Sequence, residues 1–177
     1  MSERDSRPEI RIEEDGPYQV TGDLPISRTR TVKTELGEPI DYAPFVRLEA
    51  GPGYRLCRCG RSNDKPFCDD SHLEEPRVDV KEMADHGLRE ERTDVFQSTD
   101  DGTVISDDLS LCSKAGYCTD RFTGVWQMLG NTDPAVRQRM QRMVELCPSG
   151  RLAWAESLDA PDHEPEYEPE IAVFRNG

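Results

Sequence analysis

Apolar and polar residues alternate on both sides of Asp15-Gly16-Pro17 near the start of the chain. Alternation with a period of two predicts strands, and the central Gly-Pro predicts a turn between them. Further apolar positions as far as Leu56 are separated by glycines and prolines, a pattern typical of β structure. The pattern therefore predicts a small β-rich domain over residues 1–78.

The clearest helix is predicted after Asp133, a good N-cap, with Pro134 at the first helical position. Its apolar residues recur at helical spacing, and they are Val136, Met140, Met143 and Val144. Cys147 continues this stripe, so we expect the helix to deliver the thiol toward the interior before Pro148 ends it.

A mostly charged segment runs from Leu73 to Arg92 and carries only a weak helical pattern, which Gly87 would end. Such a segment lacks the regular apolar positions that a packed core requires. We interpret residues 79–93 as a linker between two domains.

Beyond the linker, an alternating segment over residues 94–106 predicts a hairpin around Asp100-Asp101-Gly102. Together with the helix, this hairpin predicts an α+β domain over residues 94–158. An acidic tail over residues 159–177 ends in a strand-like segment, Ile171–Phe174. The predicted fold class of the whole chain is α+β.

The tail repeats a short pattern from the start of the chain, since Pro169–Val173 resembles Pro8–Ile12. Three interpretations stay open at this stage. The match arises by chance, it begins a truncated second module, or the final strand pairs with the first domain.

The composition adds a constraint on stability. Leu, Ile, Val and Phe account for 34 of 177 residues, about 19%, and the formal net charge is -14. This places the chain just under the ~20% aliphatic and Phe content below which disorder is expected. Either the chain is poorly folded, or something other than an aliphatic core holds it together.

The charge and hydropathy also exclude some functions. A sequence pI of about 4.6 argues against nucleic acid as a partner, because phosphate binding requires a surplus of basic residues. No stretch approaches the ~20 consecutive apolar residues of a membrane span. The N-terminus lacks the apolar run of a signal peptide, so we expect a cytoplasmic protein that has no membrane partner.

The charged residues are also unevenly distributed, with 18 arginines but only four lysines beside 36 acidic residues. Abundant Asp and Glu with few Lys is typical of proteins from salt-loving microbes. Molar salt shortens the screening length to about 3 Å, which would relieve the self-repulsion of so acidic a chain. The alternative is an ordinary acidic protein from an arginine-favouring genome.

Residues 57–72 hold three cysteines and one histidine, namely Cys57, Cys59, Cys68 and His72. Thiolates bind iron-sulfur clusters and zinc, and imidazole replaces thiolate on one iron of some two-iron clusters. A disulfide framework fits less well, because the number of cysteines is odd and the expected compartment is reducing.

The order C-x-C-x2-S-x3-P-x-C-D-D-S-H over residues 57–72 resembles the signature of the CDGSH iron-sulfur family at every defined position but one. The resemblance implies a [2Fe-2S] cluster, and the ligands it implies are Cys57, Cys59, Cys68 and His72. It also implies that Ser62 and Asp69 orient those ligands. The departure is Asp70, where the family has glycine. Aspartate tolerates a left-handed backbone, so we expect the turn to survive.

A second group of cysteines lies in the other half of the chain, with Cys112 and Cys118 separated by five residues and Cys147 leading Cys-Pro-Ser-Gly. The stretch from about 95 to 154 resembles divergent ferredoxins that carry one cluster. That resemblance implies a ferredoxin-like α+β fold for residues 94–158. It also implies these three cysteines as ligands of a second iron-sulfur cluster. Buried structural cysteines are the alternative.

Three cysteines suit a [3Fe-4S] cluster, whereas a [4Fe-4S] cluster needs a fourth ligand. Many relatives carry histidine two residues after the first cysteine, where this chain has Lys114. A protonated lysine cannot coordinate iron. We therefore expect [3Fe-4S], or [4Fe-4S] with a non-protein ligand.

The sequence lacks a P-loop, a dinucleotide-binding motif and a nucleophile elbow. We therefore expect no enzymatic activity but one-electron transfer with an unidentified redox partner protein, and a homodimer stays an open alternative. A cluster carrier, or a redox or pH sensor that uses a labile His-ligated cluster, is a second hypothesis. A zinc-stabilised structural or interaction module is a third, because three cysteines and a histidine also suit zinc.

Overall fold

The computed structural model describes residues 7–74, 87–163, 165 and 167–174. The strands are β1 (Glu9–Ile12), β2 (Tyr18–Thr21), β3 (Ile26–Lys33), β4 (Pro39–Leu48), β5 (Gly53–Leu56), β6 (Asp94–Gln97), β7 (Val104–Asp107), β8 (Leu152–Ala155) and β9 (Ile171–Val173). The α-helices are α1 (Val125–Met128) and α2 (Pro134–Glu145), and 3₁₀ turns lie at Ser71–Leu73, Arg89–Glu91 and Leu109–Leu111. The described chain is thus rich in small β-sheets and poor in helix.

The strands form three sheets of three strands each, in the orders β1-β2-β5, β4-β3-β9 and β6-β7-β8. The predicted first hairpin is confirmed, since β1 and β2 pair antiparallel with Ile10 opposite Val20. The second predicted hairpin is confirmed as well, because β6 pairs antiparallel with β7 and places Phe96 opposite Ile105. Both hairpins have the local turn residues that fix their register.

Contacts divide the chain into two compact units. The first contains the described residues within 1–30, 42–86 and 168–177, and the second contains residues 31–41 together with those described within 87–167. Strand β9 thus belongs to the first unit, although the chain reaches it last.

The helical pattern expected before Gly87, and most of the predicted linker over 79–93, lie outside the described residues.

The core of the first unit consists of buried side chains from four strands, namely Val20, Ile26, Tyr54 and Val173. The last strand contributes because β9 runs parallel to β3, with Ile26 opposite Ile171. Of the interpretations of the repeated tail pattern, pairing of the final strand with the first domain is thus confirmed. The Tyr54 hydroxyl donates to the Leu24 carbonyl at 2.9 Å, so its buried polar end is satisfied.

The core of the second unit is built from β7, β8 and the two helices, and it comprises Ile105, Val125, Met128, Met140, Met143, Val144, Leu152 and Trp154. Cys118 and Cys147 pack against this cluster. The ferredoxin-like arrangement expected for residues 94–158 stays a prediction.

Helix α2 begins as predicted, since the Asp133 carboxylate accepts a hydrogen bond from the Ala135 N–H at 2.8 Å. It ends at Glu145, earlier than the expected end at Pro148. The reason is that a residue preceding proline is disfavoured in the α region, so Cys147 already lies outside the helix. The Cys147 N–H still bonds to the Val144 carbonyl at 3.0 Å, which holds the thiol close to the helix end.

No helix among the described residues is long and apolar enough to cross a membrane.

Candidate metal centres

The first candidate centre is built where the chain turns back against the end of β5. Leu56 and Phe67 form an isolated antiparallel bridge. On either side of it, the Cys57 N–H donates to the Pro66 carbonyl at 2.7 Å and the Cys68 N–H donates to the Arg55 carbonyl at 2.9 Å. Two cysteines that are distant in sequence are therefore carried by neighbouring backbone segments.

The ligand atoms of this centre lie in two close pairs. The Sγ atoms of Cys57 and Cys59 are 3.7 Å apart, and Cys68 Sγ lies 3.6 Å from His72 Nδ1. All four side chains are half-buried. His72 reaches Cys68 because it lies in the 3₁₀ turn Ser71–Leu73 that follows directly.

Asp70 adopts the left-handed conformation, with φ 66° and ψ 10°, so the expected survival of the turn without glycine is confirmed. Its carboxylate accepts two hydrogen bonds from the Arg55 guanidinium, at 2.6 and 2.8 Å. The same carboxylate lies 3.9 Å from Cys68 Sγ. Ligand atoms of Cys68, Asp70 and His72 all lie within 4.8 Å of one another, so an acidic group is present beside the two predicted ligands.

Backbone donors distinguish two of the three half-buried thiols of the first centre, those of Cys57 and Cys68. Burial opposes ionisation of Cys57, but the Ser62 N–H, the Cys59 thiol and further N–H groups of the following loop outweigh it and lower the pKa of Cys57. Burial raises the pKa of Cys68, and the N–H of Asp70 and the charge of Arg55 offset this only in part. N–H donors directed at a sulfur stabilise its thiolate form.

Ser62 and Asp69 contact the loop that carries the ligands. The buried Ser62 hydroxyl donates to the Phe67 carbonyl at 2.6 Å. The Asp69 carboxylate accepts the Ser71 hydroxyl at 2.6 Å and the Asn63 N–H at 2.8 Å. These donors hold the pKa of Asp69 well below its usual range, with the Ser71 hydroxyl as the largest cause. Ser62 thus closes the loop between Cys59 and Cys68 on itself, and Asp69 ties this loop to the turn that carries His72.

The second candidate centre is a cavity of about 120 Å³ that is lined by all three predicted cysteines, Cys112, Cys118 and Cys147. Tyr117, Leu152 and the side chain of Arg151 also line it. The structure therefore brings together three thiols that the sequence spreads across two loops and a helix end.

Cys112 is positioned by the 3₁₀ turn Leu109–Leu111, and this turn is organised by Asp108. The Asp108 side chain is fully buried, accepts the Ser110 N–H at 3.1 Å and pairs with Arg92 at 2.8 Å. The Cys112 N–H then donates to the Leu109 carbonyl at 3.1 Å. An ion pair with a fully buried carboxylate therefore anchors the segment that delivers the first thiol of this centre.

The loop between Cys112 and Cys118 uses two left-handed residues, Lys114 at φ 58° and Gly116 at φ 85°. The backbone N–H of Lys114 points at the Cys112 sulfur and is the largest cause of the lowered pKa of that thiol. Burial raises the pKa of Cys118 instead. The Lys114 side chain is exposed. Its backbone donates to the site, and its ammonium is no ligand.

Arg151 is the functional candidate that the sequence did not single out. Its Nη1 donates to Cys112 Sγ at 3.3 Å, while Nε and Nη2 donate to the two carboxylate oxygens of Asp107 at 2.6 and 2.8 Å. Its guanidinium carbon lies 5.4 Å from the centroid of the Trp126 ring. Among 18 arginines, one that follows Cys-Pro-Ser-Gly carries no distinguishing signal in the sequence.

Comparison with known families adds to this geometry. Residues 15–73 match the family model described as iron-binding zinc finger of the CDGSH type, and residues 98–157 match the one described as divergent 4Fe-4S mono-cluster. The chain is an iron-sulfur protein that joins these two domain types. The predicted resemblance, including the order of the two domains, is thereby confirmed.

Two curated relatives resemble a short part of this iron-sulfur protein. Both are named CDGSH iron-sulfur domain-containing protein 3, mitochondrial, the human one 61% identical over 28 residues and the mouse one 60% identical over 30 residues. Each match covers 16% of this chain and 22% of the relative. The chain thus spans less than a quarter of the length of these relatives. No solved structure matches it significantly.

The residues present fit the groups that the two families imply. Thiolate and imidazole are donors that iron-sulfur clusters accept, and both centres surround cysteine sulfurs with N–H donors. The first family implies a [2Fe-2S] cluster and the second a [4Fe-4S] cluster. The assignment of individual ligands stays a prediction.

Proposed function

We propose that this protein carries two iron-sulfur clusters and transfers single electrons to or from a redox partner protein. Cys57, Cys59, Cys68 and His72 would hold a [2Fe-2S] cluster, and Cys112, Cys118 and Cys147 would hold the second. The observation that carries the proposal is the second cavity, where three thiols converge beside a guanidinium. Buried cysteines of a purely structural kind have no need of a directed cationic donor.

An iron-sulfur cluster takes up and releases one electron, with a potential that hydrogen bonds to its sulfurs and its exposure to solvent adjust. The chain supplies the donors that hold each cluster and the N–H groups around their sulfurs. In the second centre, the apolar cluster that contains Met140 and Trp154 packs against Cys118 and Cys147 and keeps water from that side. These contributions bind and tune, and none of them requires a substrate pocket.

The second cluster is best assigned as [4Fe-4S], which the matched mono-cluster family favours. With three cysteines and an exposed Lys114, the fourth position falls to a non-protein ligand. A [3Fe-4S] cluster is the alternative, because it needs only the three thiolates.

A cluster carrier or a redox or pH sensor is the second candidate function. The observation that favours it is the half-buried state of all four predicted ligands of the first centre, including His72. An accessible histidine ligand offers a route for protonation and release. A zinc-stabilised module is the third candidate, since three cysteines and a histidine also suit zinc.

Further parts of the proposal concern the setting of the protein. We place it in the cytoplasm as a non-enzymatic protein that binds neither nucleic acid nor membranes, consistent with the net charge of -14. We assign the second domain a ferredoxin-like α+β arrangement. A homodimer is an alternative assembly.

Iron and acid-labile sulfide analysis of the anaerobically purified chain, with electron paramagnetic resonance (EPR) in both oxidation states, tests the proposal. Two clusters give about five irons per chain with [3Fe-4S] and about six with [4Fe-4S] in the second centre. About four irons would argue against a second cluster larger than two irons. A colourless, redox-silent protein that contains zinc would overturn the proposal in favour of the structural module.

Electron transfer and cluster donation are separated by following the iron. Repeated reduction and reoxidation should leave the iron bound if the protein transfers electrons. Incubation with an apo-ferredoxin should leave it bound as well. Transfer of iron and sulfide to the acceptor would favour the carrier.

A further inference from the structure

We propose that Arg151 raises the reduction potential of the second centre through its hydrogen bond to Cys112 and its buried charge, and that Asp107 holds it in place. This inference rests on the proposed second cluster. It assigns to a residue outside the predicted ligand set a role in tuning that cluster.

The guanidinium of Arg151 is fixed from three directions. Asp107 engages the edge formed by Nε and Nη2, which leaves Nη1 to donate to Cys112 Sγ at 3.3 Å. The Trp126 ring lies against it at 5.4 Å. The side chains of Arg151 and Asp107 are only 13% and 9% exposed. A bidentate pair of this kind restricts the orientation of the guanidinium more than a single hydrogen bond does.

The backbone of Arg151 is held equally well. Its carbonyl accepts the Asp108 N–H at 2.9 Å and Nη2 of Arg89 at 3.3 Å. The donor is therefore preorganised before any cluster is bound, and little reorganisation accompanies a change in the charge of the centre.

The direction of the effect follows from charge. Reduction adds one negative charge to a cluster whose sulfurs already carry negative charge. A donor and a positive charge at 3.3 Å from one sulfur stabilise the reduced form more than the oxidised form, so they raise the potential. Because water is largely excluded from this pair, the interaction is screened less than at the surface. Asp107 offsets part of the charge, but it contacts the far edge of the guanidinium and leaves the N–H directed at the sulfur.

A structural role alone makes a different prediction. The Arg151–Asp107 pair also joins the start of β8 to the end of β7, so its loss should lower stability whatever its effect on the cluster. Potential and stability must therefore be measured separately.

The test is an EPR-monitored redox titration of the anaerobically prepared full chain, comparing the parent with Arg151→Gln and Arg151→Lys. The control is Arg137→Gln, which removes another arginine–aspartate pair of the same unit, at 2.6 Å from Asp101, away from the cysteine cavity. Arg151→Gln should shift the equilibrium toward the oxidised form of the second centre by about tenfold, equivalent to about 59 mV for one electron. Arg151→Lys keeps the charge but loses the two-bond contact with Asp107, so its second-centre potential should lie between those of the parent and Arg151→Gln. The second-centre potential of the Arg137→Gln control, and the potential of the first centre in all variants, should stay unchanged.

An intact second-cluster signal with an unchanged potential in Arg151→Gln would overturn the role of Arg151 and leave the proposed function standing. Absence of a second-cluster signal in the parent would overturn both. If Arg151→Gln does not bind its second cluster, the contact between Arg151 and that cluster is tested in the parent protein. Protein labelled with ¹⁵N-arginine should then show a nitrogen hyperfine coupling to the reduced second centre in pulsed EPR, and absence of that coupling would refute the contact.

Discussion

Arg55 and Asp70 form a two-bond ion pair across the first centre, with N···O distances of 2.6 and 2.8 Å. Asp70 occupies the position where the CDGSH signature has glycine, and it does so in a left-handed conformation with φ 66°. The pair anchors a residue that pays a conformational penalty in this region, and it places opposite charges beside Cys68.

Removing the acidic member of this pair should raise the potential of the first centre. Asp70→Gly deletes a carboxylate 3.9 Å from Cys68 Sγ and leaves the Arg55 charge uncompensated. Stability should change little, because both side chains are about 40% exposed and glycine relieves the left-handed backbone. EPR-monitored redox titration provides the measurement. Asp70→Asn should shift the potential in the same direction, and Arg55→Gln in the opposite one. Shifts of one sign in all three variants would contradict the electrostatic account.

Replacing the histidine ligand should make the first cluster more resistant to acid. In His72→Cys, a thiolate replaces the imidazole that lies 3.6 Å from Cys68 Sγ. A neutral imidazole leaves a cluster less negative than a thiolate does, and it is lost on protonation, so the variant should have a lower potential and bleach at lower pH. The visible absorption followed during acid titration measures the second effect. Bleaching of parent and variant at the same pH would rule out His72 as the labile ligand.

The local features of the fold were predictable because their signals lie close together in sequence. The Asp133-Pro134 start of α2 and the turn of the β6–β7 hairpin depend on residues within a few positions of one another. The cysteine spacing over residues 57–72 is similarly compact. Such signals survive because capping, turn chemistry and ligand spacing act over one turn of chain.

The remaining features depend on contacts between distant residues. The parallel pairing of β9 with β3 joins Ile171 to Ile26, and the sequence left two other interpretations open. The bond from Arg151 to Cys112 has no local pattern at all, since it depends on how β7 and β8 align. Composition likewise indicated a small core, yet could not indicate that an ion pair between Arg92 and the buried Asp108 organises the turn before Cys112.

Truncation of a buried side chain on α2, the helix that leads to Cys147, should destabilise the second unit. Met140 is 1% exposed within the core cluster, so Met140→Ala should lower the free energy of unfolding by about 2–5 kcal/mol through lost burial and the cavity left behind. Chemical denaturation followed by circular dichroism measures the change. Gln138→Ala on the exposed side of the same helix is the matched control and should stay within about 0.5 kcal/mol of the parent. Equal effects of the two substitutions would be inconsistent with the described core.

The buried carboxylate of Asp108 should make stability depend on pH. Hydrogen bonds from Ser110 and the charge of Arg92 hold the pKa of Asp108 below its usual value of about 4. A carboxyl group whose pKa is lower in the folded state than in the unfolded state stabilises the fold. This stabilisation is fully present above the pKa of the unfolded state, and it is lost as the pH falls through the pKa of the folded state. The free energy of unfolding of Asp108→Asn should therefore lie furthest below that of the parent near neutral pH, and the gap should narrow below about pH 4. Asp133→Asn retains a helix cap and should show only a small difference throughout. A gap for Asp108→Asn that is independent of pH would show that charge is not its cause.

Salt should stabilise this protein, and most of all when its clusters are removed. A net charge of -14 on 177 residues opposes compaction, and added salt screens that repulsion, with a Debye length of about 10 Å at 0.1 M and about 3 Å at 1 M. Cluster binding contributes folding free energy where the apo site is not preformed. The apo protein therefore has a lower free energy of unfolding, while the repulsion between its acidic residues is unchanged. Thermal unfolding in rising potassium chloride should show an increasing midpoint, with a steeper rise for the apo form. Sucrose at matched osmolality separates screening from general exclusion of solute from the surface. If the unfolding midpoint rises equally in salt and in sucrose, the stabilisation is due to exclusion of solute from the surface. If the midpoint does not change with salt, the acidic surface is not an adaptation to high salt.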